Sequence, residues 1–231
     1  MSQGTVALVH GAWHGAWCWN RLAAHLEKRG HRAVAADLPA EDPPAGLKRY
    51  AELTSDAIGD ADDVVLVGHS LGGAAIPLVT AVRPVRDLVF LCALIPQPGR
   101  TVTDRYREED VFVEGFTGNT ETRGDGASFW PDRAAAIRCF YHDCSPDDAA
   151  SAAGNLRAQA AAPSREVWPL DAMPDVERTS IICRDERCIS PEWSRTMSAE
   201  QLGVQPVELD GGHSPFLSRP ADLAEVIARV L

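Results

Sequence analysis

A serine framed by glycines stands at Gly68-His69-Ser70-Leu71-Gly72, directly after the apolar, β-branched run Val64 to Val67 and before a helix-forming stretch that starts near Leu71. A serine hydroxyl is a weak nucleophile at neutral pH. To attack a carbonyl it must be raised on a sharp strand-to-helix turn beside a base, and the crowded backbone of that turn tolerates only small residues two positions to either side. Gly68 and Gly72 meet this requirement, so Ser70 is the candidate nucleophile. The helix beginning after it turns free backbone N–H groups and its positive dipole end toward charge developing on a substrate oxygen. That makes the Leu71 N–H one candidate oxyanion donor.

The chemistry then needs a general base, a carboxylate to orient it and a second donor. Leu209-Asp210-Gly211-Gly212-His213-Ser214-Pro215 places a histidine just beyond an expected strand, and His213 is the candidate base. The carboxylate belongs after the preceding strand, where Cys183-Arg184-Asp185-Glu186-Arg187-Cys188-Ile189 offers two neighbours, Asp185 and Glu186, that residue chemistry alone does not separate. The second donor belongs to the loop after the first strand, His10-Gly11-Ala12-Trp13, with the Ala12 N–H as the choice. Gly11 and Gly15 do not make a G-x-G-x-x-G and no phosphate-loop lysine follows, so this loop is not read as a nucleotide cradle. Gly11, Trp13 and His69 are expected at the substrate pocket, and His10, His14 and His69 to shape its floor through hydrogen bonds. Of the other histidines, His25 and His31 flank the first helix and His142 lies farther along the chain. Trp13, Trp17, Trp19, Phe129 and Trp130 could wall an aromatic pocket, although the first helix claims Trp17 and Trp19 for its core. No metal or organic cofactor is required.

The elements that must hold these residues follow from periodicity. Short β-branched runs at Thr5–Val9, His31–Ala36, Val64–Val67 and Leu88–Leu91 alternate with helical patterns at Trp17–Arg29, Leu47–Ile58 and Leu71–Val82. Alternation of this kind predicts βαβ units and a mostly parallel sheet with helices on both faces. Between Pro96 and about Pro174 the rhythm is lost: Gly and charged residues fill 99–128 and an alanine-rich, helix-prone stretch occupies 132–161. We read 1–95 with 175–231 as the α/β core of a single domain, and 96–174 as a small helical cap inserted above the carboxyl ends of the strands, where such sheets bind ligands. Alternation resumes at Thr179–Cys183, Pro191–Leu202, Val207–Leu209 and Pro220–Leu231.

With 33 acidic against 22 basic residues, the formal charge is −11. Such a surface repels phosphate backbones and anionic membranes, so neither nucleic acid nor a membrane is an expected partner. No apolar run approaches the ~20 residues a bilayer span needs, and Met1-Ser2-Gln3-Gly4-Thr5 does not read as a secretory leader; a cytoplasmic address is expected. The six cysteines form no C-x-x-C pair and are read as reduced, buried thiols. The expected partner is a small-molecule ester, and the expected state a monomer or homodimer.

His10-Gly11-Ala12-Trp13-His14-Gly15-Ala16-Trp17-Cys18-Trp19, Gly68-His69-Ser70-Leu71-Gly72-Gly73 and Gly211-Gly212-His213-Ser214-Pro215-Phe216 together resemble the plant methylesterase and hydroxynitrile lyase branch of the α/β-hydrolases and its bacterial relatives. The resemblance implies the α/β-hydrolase fold over nearly the whole chain. In that family the acid precedes a proline as in Asp-Arg-Ala-Ile-Pro-Pro; Glu186-Arg187-Cys188-Ile189-Ser190-Pro191 matches with Glu for Asp, which makes Glu186 the first choice and Asp185 the fallback. The similar hydroxynitrile lyases carry a threonine and a lysine where this chain has Gly11 and Ser214. The resemblance therefore implies hydrolysis of a small, largely apolar ester through an acyl-enzyme. Two rival expectations stand beside it: a non-hydrolytic lyase or tailoring enzyme on the same scaffold, and a ligand-binding protein with little turnover.

Overall fold

The computed structural model describes residues 4–231; Met1 to Gln3, on which the leader reading partly rests, lie outside them. In chain order the strands are β1 (Thr5–Val9), β2 (Arg32–Ala36), β3 (Val64–His69), β4 (Asp87–Leu91), β5 (Glu121–Thr122), β6 (Ser128–Phe129), β7 (Glu177–Cys183) and β8 (Val207–Leu209). Six of them form one sheet in the order β2-β1-β3-β4-β7-β8. Every pairing in that sheet is parallel. β1, β3 and β4 are buried along their whole length, as their unbroken apolar runs require of central parallel strands.

The helices are α1 (Asn20–Glu27), α2 (Leu47–Ile58), α3 (Gly72–Val79), α4 (Val102–Glu108), α5 (Arg133–Phe140), α6 (Pro146–Gly154), α7 (Ala162–Arg165), α8 (Pro191–Glu200), α9 (Pro215–Ser218) and α10 (Pro220–Ala228). Side-chain alternation along the strands divides the interior in two. Val6 and Leu8 of β1 join Leu22 and Leu26 of α1 and Leu223 and Ile227 of α10 on one face. Ala7 and Val9 join Leu47 and Tyr50 of α2, with α3 and α8, on the other. Among the described residues, no helix is long and apolar enough to cross a membrane.

Four expected helices are shorter than their patterns; α8 stops at Glu200 instead of Leu202 and α10 at Ala228 instead of Leu231. The first begins as a 3-10 turn at Ala16–Trp19 because Gly15 starts it with an i to i+3 bond to the Cys18 N–H. α3 ends at Val79, where Thr80, Ala81 and Val82 close the last turn with i to i+3 bonds. The stretch from 96 to 174 is not purely helical. It carries the antiparallel β5–β6 ladder, and α4 lies in the part read as irregular. α4 is announced by a capping box in which Thr101 and Asp104 satisfy each other's backbone N–H groups.

The sheet order explains where a site can form. From β1 the chain moves outward to β2 and then returns to add β3 on the other side of β1, so a crevice opens at the carboxyl ends of β1 and β3. Their register pairs Val9 with Gly68. The residues that follow, His10-Gly11-Ala12 and His69-Ser70-Leu71, therefore leave the sheet side by side.

Candidate active site

Ser70 sits on the turn between β3 and α3 with φ at 51°, a left-handed backbone that is uncommon outside glycine. Neighbours hold it there: its N–H donates to Leu91 O at 3.2 Å, and its carbonyl accepts from Gly73 N–H at 3.0 Å and Leu94 N–H at 2.9 Å. A Cβ at Gly68 would lie 2.7 Å from Gly72 O, and one at Gly72 would lie 2.6 Å from Val9 O, so this turn closes only with glycine at both positions. A Cβ at Gly11 would stand 2.7 Å from the Ser70 Cβ, which leaves no room for the threonine of the hydroxynitrile lyase pattern without backbone movement.

His213 lies on the loop after β8, buried, with Nδ1 2.7 Å from Glu186 Oε2. Glu186 is itself buried, and its Oε1 accepts from the Cys188 N–H at 2.8 Å. The carboxylate therefore fixes the imidazole tautomer with a proton on Nδ1 and leaves Nε2 free to take one. Asp185, the alternative acid, is exposed. Its Oδ2 accepts from Gly211 N–H at 3.2 Å and its own N–H donates to Gly211 O at 3.0 Å. It ties the β7 and β8 loops together and does not meet His213, which corrects the fallback choice.

Ala12 and Leu71 flank Ser70 on the wall of one cavity of about 380 Å³. Among the described residues, neither N–H donates to a backbone carbonyl. The Gly11–Ala12 peptide is oriented by His10, whose Nδ1–H donates to Gly11 O at 2.9 Å while Nε2 accepts from Leu38 N–H at 3.1 Å. That pair of bonds requires a neutral ring, and burial pushes His10 down to about 4. His14 is handled similarly: Nδ1–H donates to Ala12 O at 2.8 Å, the Tyr141 hydroxyl donates to Nε2 at 2.8 Å, and burial lowers the ring to about 3.

The structure moves two residues expected at the pocket. His69 is fully buried behind the turn and donates from Nε2 to His213 O at 2.9 Å, with burial holding its pKa well below the ordinary imidazole value. Gly11 is walled in by Ser70 and His69. Neither lines the cavity, whereas Trp13 and Trp130 do. Trp17 and Trp19 are kept by the core, and Phe129 faces a different surface depression. Sequence reading missed Tyr106, Phe112, Phe116 and Gln159 on the cavity wall. A faint signal was available in the aromatics Tyr106, Phe112 and Phe116, which interrupt an otherwise Gly-rich, charged stretch.

Glu186, Cys188 and His213 hold one donor atom each within 4.8 Å of the others, the only such trio among the described residues. These donors are already engaged: Glu186 with His213, and the Cys188 thiol with Cys139 O at 3.4 Å. Burial and the nearby Glu186 push that thiol well above its ordinary pKa. All six cysteines are unpaired and five are buried.

A family model described as the alpha/beta hydrolase family matches residues 6–226. The chain belongs to that family. Among its curated relatives, this alpha/beta hydrolase is 29% identical to norfluorocurarine synthase 2 of Strychnos sp over 96% of this chain and 93% of that protein. It is 26% identical to methylesterase 7 of Arabidopsis thaliana over 99% and 96%. The crystal structure of polyneuridine aldehyde esterase has the same fold, with a TM-score of 0.84 at 22% identity and 99% of both chains covered.

Proposed function

We propose that this alpha/beta hydrolase is a serine hydrolase that cleaves a small, largely apolar carboxylic ester. The observation that carries the reading is the buried Glu186–His213 pair, whose His213 carbonyl accepts from His69, the residue before Ser70, on the strained turn that lines one cavity with Ala12 and Leu71, whose N–H groups make no backbone bond. In the first step Ser70 Oγ attacks the ester carbonyl and His213 Nε2 takes its proton. The Ala12 and Leu71 N–H groups hold the resulting oxyanion, and the proton passes to the leaving alkoxide as the ester C–O bond breaks. In the second step His213 deprotonates water, which attacks the acyl-enzyme and returns the acid and free Ser70. The Ser70–His213 contact is the element this mechanism adds; such bonds are often long in unliganded enzymes and tighten on the substrate. The segment 96–174 serves in this reading as a cap, since it supplies Phe112, Phe116 and Trp130 to the cavity wall.

The test is hydrolysis of short-chain p-nitrophenyl esters by the purified protein and its Ser70→Ala and His213→Ala variants. Turnover in the parent and a loss of at least about 10³-fold in each variant is expected. Equal turnover by the variants would overturn the assignment. A second reading, acid–base chemistry without hydrolysis on the same two residues, draws support from the relative named as a synthase. Product analysis separates the two, because hydrolysis alone releases both an acid and an alcohol.

A further inference from the structure

One wall of the cavity is built from three chain segments tied together. Trp13 adopts a left-handed backbone at φ 62°, an unusual conformation for a bulky residue. It is held by Arg157 N–H, which donates to Trp13 O at 2.9 Å, and by its own indole N–H, which donates to Ser128 Oγ at 3.1 Å. Ser128 and Gln159 in turn exchange backbone bonds, each N–H donating to the other's carbonyl at 2.8 Å. Gln159 is therefore anchored through Ser128 and Trp13 to the same loop that carries Ala12.

The side chain of Gln159 is buried and lines the cavity. Its Nε2 donates to Ala160 O at 3.1 Å and to the Tyr50 hydroxyl at 3.1 Å. The Ala160 carbonyl can only accept, so the amide cannot be flipped without setting two oxygens against each other. Both Nε2 protons are consumed, and among the described residues Oε1 receives no protein donor. Oε1 is also absent from the polar atoms sealed in the interior without a partner, which leaves it facing cavity space. Of the other polar groups on the cavity wall, Ser128 Oγ accepts from Trp13 and the Thr103 hydroxyl donates to Ser164 O at 2.8 Å, while Thr117, Thr120, Thr122 and Arg165 bring donors of their own.

We propose that Gln159 Oε1 is a fixed hydrogen-bond acceptor that selects esters carrying a hydroxyl group on their apolar body. This deepens the esterase reading of the same cavity and rests on it for the word substrate, although the binding step can be measured without turnover. Leu71, Leu94, Phe112, Phe116 and Trp130 give the same wall a broad apolar and aromatic part. A neutral hydroxyl on an aromatic skeleton satisfies both kinds of surface; an ammonium donor would have to shed its hydration against the aromatic wall. A ligand without the donor displaces water from Oε1 and leaves a buried acceptor unpaired, a loss of about tenfold in affinity.

The experiment uses the Ser70→Ala protein, so that no ester is consumed. Methyl 3-phenylpropanoate and its 2-, 3- and 4-hydroxyphenyl counterparts are titrated by calorimetry. At least one hydroxylated ester is expected to bind about tenfold more tightly than the parent ester. Adding Gln159→Met, which keeps the length and removes the acceptor, should abolish that preference, the parent ester's affinity rising toward that of the hydroxylated ester because no acceptor is left unpaired beneath it. The proposal is overturned if no hydroxylated ester binds more tightly than the parent, or if the preference survives Gln159→Met. Should that variant not fold, Gln159→Leu, which also removes the acceptor, takes its place; it too should abolish the preference, and an unchanged preference overturns the proposal. Preferential binding by Ser70→Ala together with no cleavage by the native chain would sink the esterase reading and leave the Gln159 assignment standing.

Discussion

Glu186 reaches His213 with one more methylene than an aspartate has, and the loop absorbs that length by turning the carboxylate back onto the Cys188 N–H two residues on. Residue chemistry left Asp185 and Glu186 open, because both are acids at the end of the same strand. What separates them is which way each points, a property of loop geometry; the proline spacing in Glu186 to Pro191 was the one local clue. We predict that Glu186→Gln lowers kcat for a p-nitrophenyl ester by about 10³ to 10⁴-fold, while Asp185→Asn stays within about tenfold. A steady-state comparison of the two variants checks this, and the reverse order would reassign the acid. His10 acts one step further back: it grips the carbonyl of the peptide whose other end is the Ala12 N–H. His10→Ala is therefore expected to lower kcat by roughly 10–100-fold, less than the loss of an oxyanion donor itself, with KM little changed. A variant that raised KM alone would place His10 in ground-state binding.

At the scale of elements, β4 connects the site to its opposite end. Its last residue, Leu91, supports the Ser70 N–H, and its first, Asp87, is a buried carboxylate whose Oδ1 lacks a partner. Burial, reinforced by Glu177, pushes Asp87 up to about 6 despite the Thr179 hydroxyl. The folded chain thus binds this proton more tightly than the unfolded one. The group's contribution to stability is full below about pH 4 and is lost as pH rises through about 6. Asp87→Asn should stabilise the protein at pH 7 by of the order of 1 kcal/mol at most. Urea titrations at pH 7 and pH 4.5 should show that gain shrinking in acid, and a gain that grew in acid would contradict the assignment. The core strands were legible because each is short, β-branched and buried on both faces, so its pattern is set locally. The hairpin of β5 and β6 was not legible, since its two-residue strands exist only through pairing with each other and, for Ser128, with Gln159. For the same reason most of the cavity wall escaped the sequence: its members are brought together by bonds between residues such as Trp13 and Arg157 that lie far apart in the chain.

For the whole molecule, the sheet order and the register of β1 on β3 make a crevice, and the proposed nucleophile, base and oxyanion donors come to it from three loops, with Glu186 on a fourth. That convergence was readable from sequence because each loop follows a recognisable strand. The cavity shape was not, because it depends on how 96–174 folds over the sheet. The account's central claim is that Ser70 is a nucleophile activated by His213, and covalent capture tests it most directly. Purified protein is treated with an alkyl fluorophosphonate and its intact mass followed with time, beside Ser70→Ala and His213→Ala. The account predicts one phosphonyl adduct on the parent chain, mapped to Ser70, none on Ser70→Ala, and labelling slowed by at least about a hundredfold in His213→Ala. A folded parent chain that takes up no adduct, or one that is modified at another residue, would contradict it.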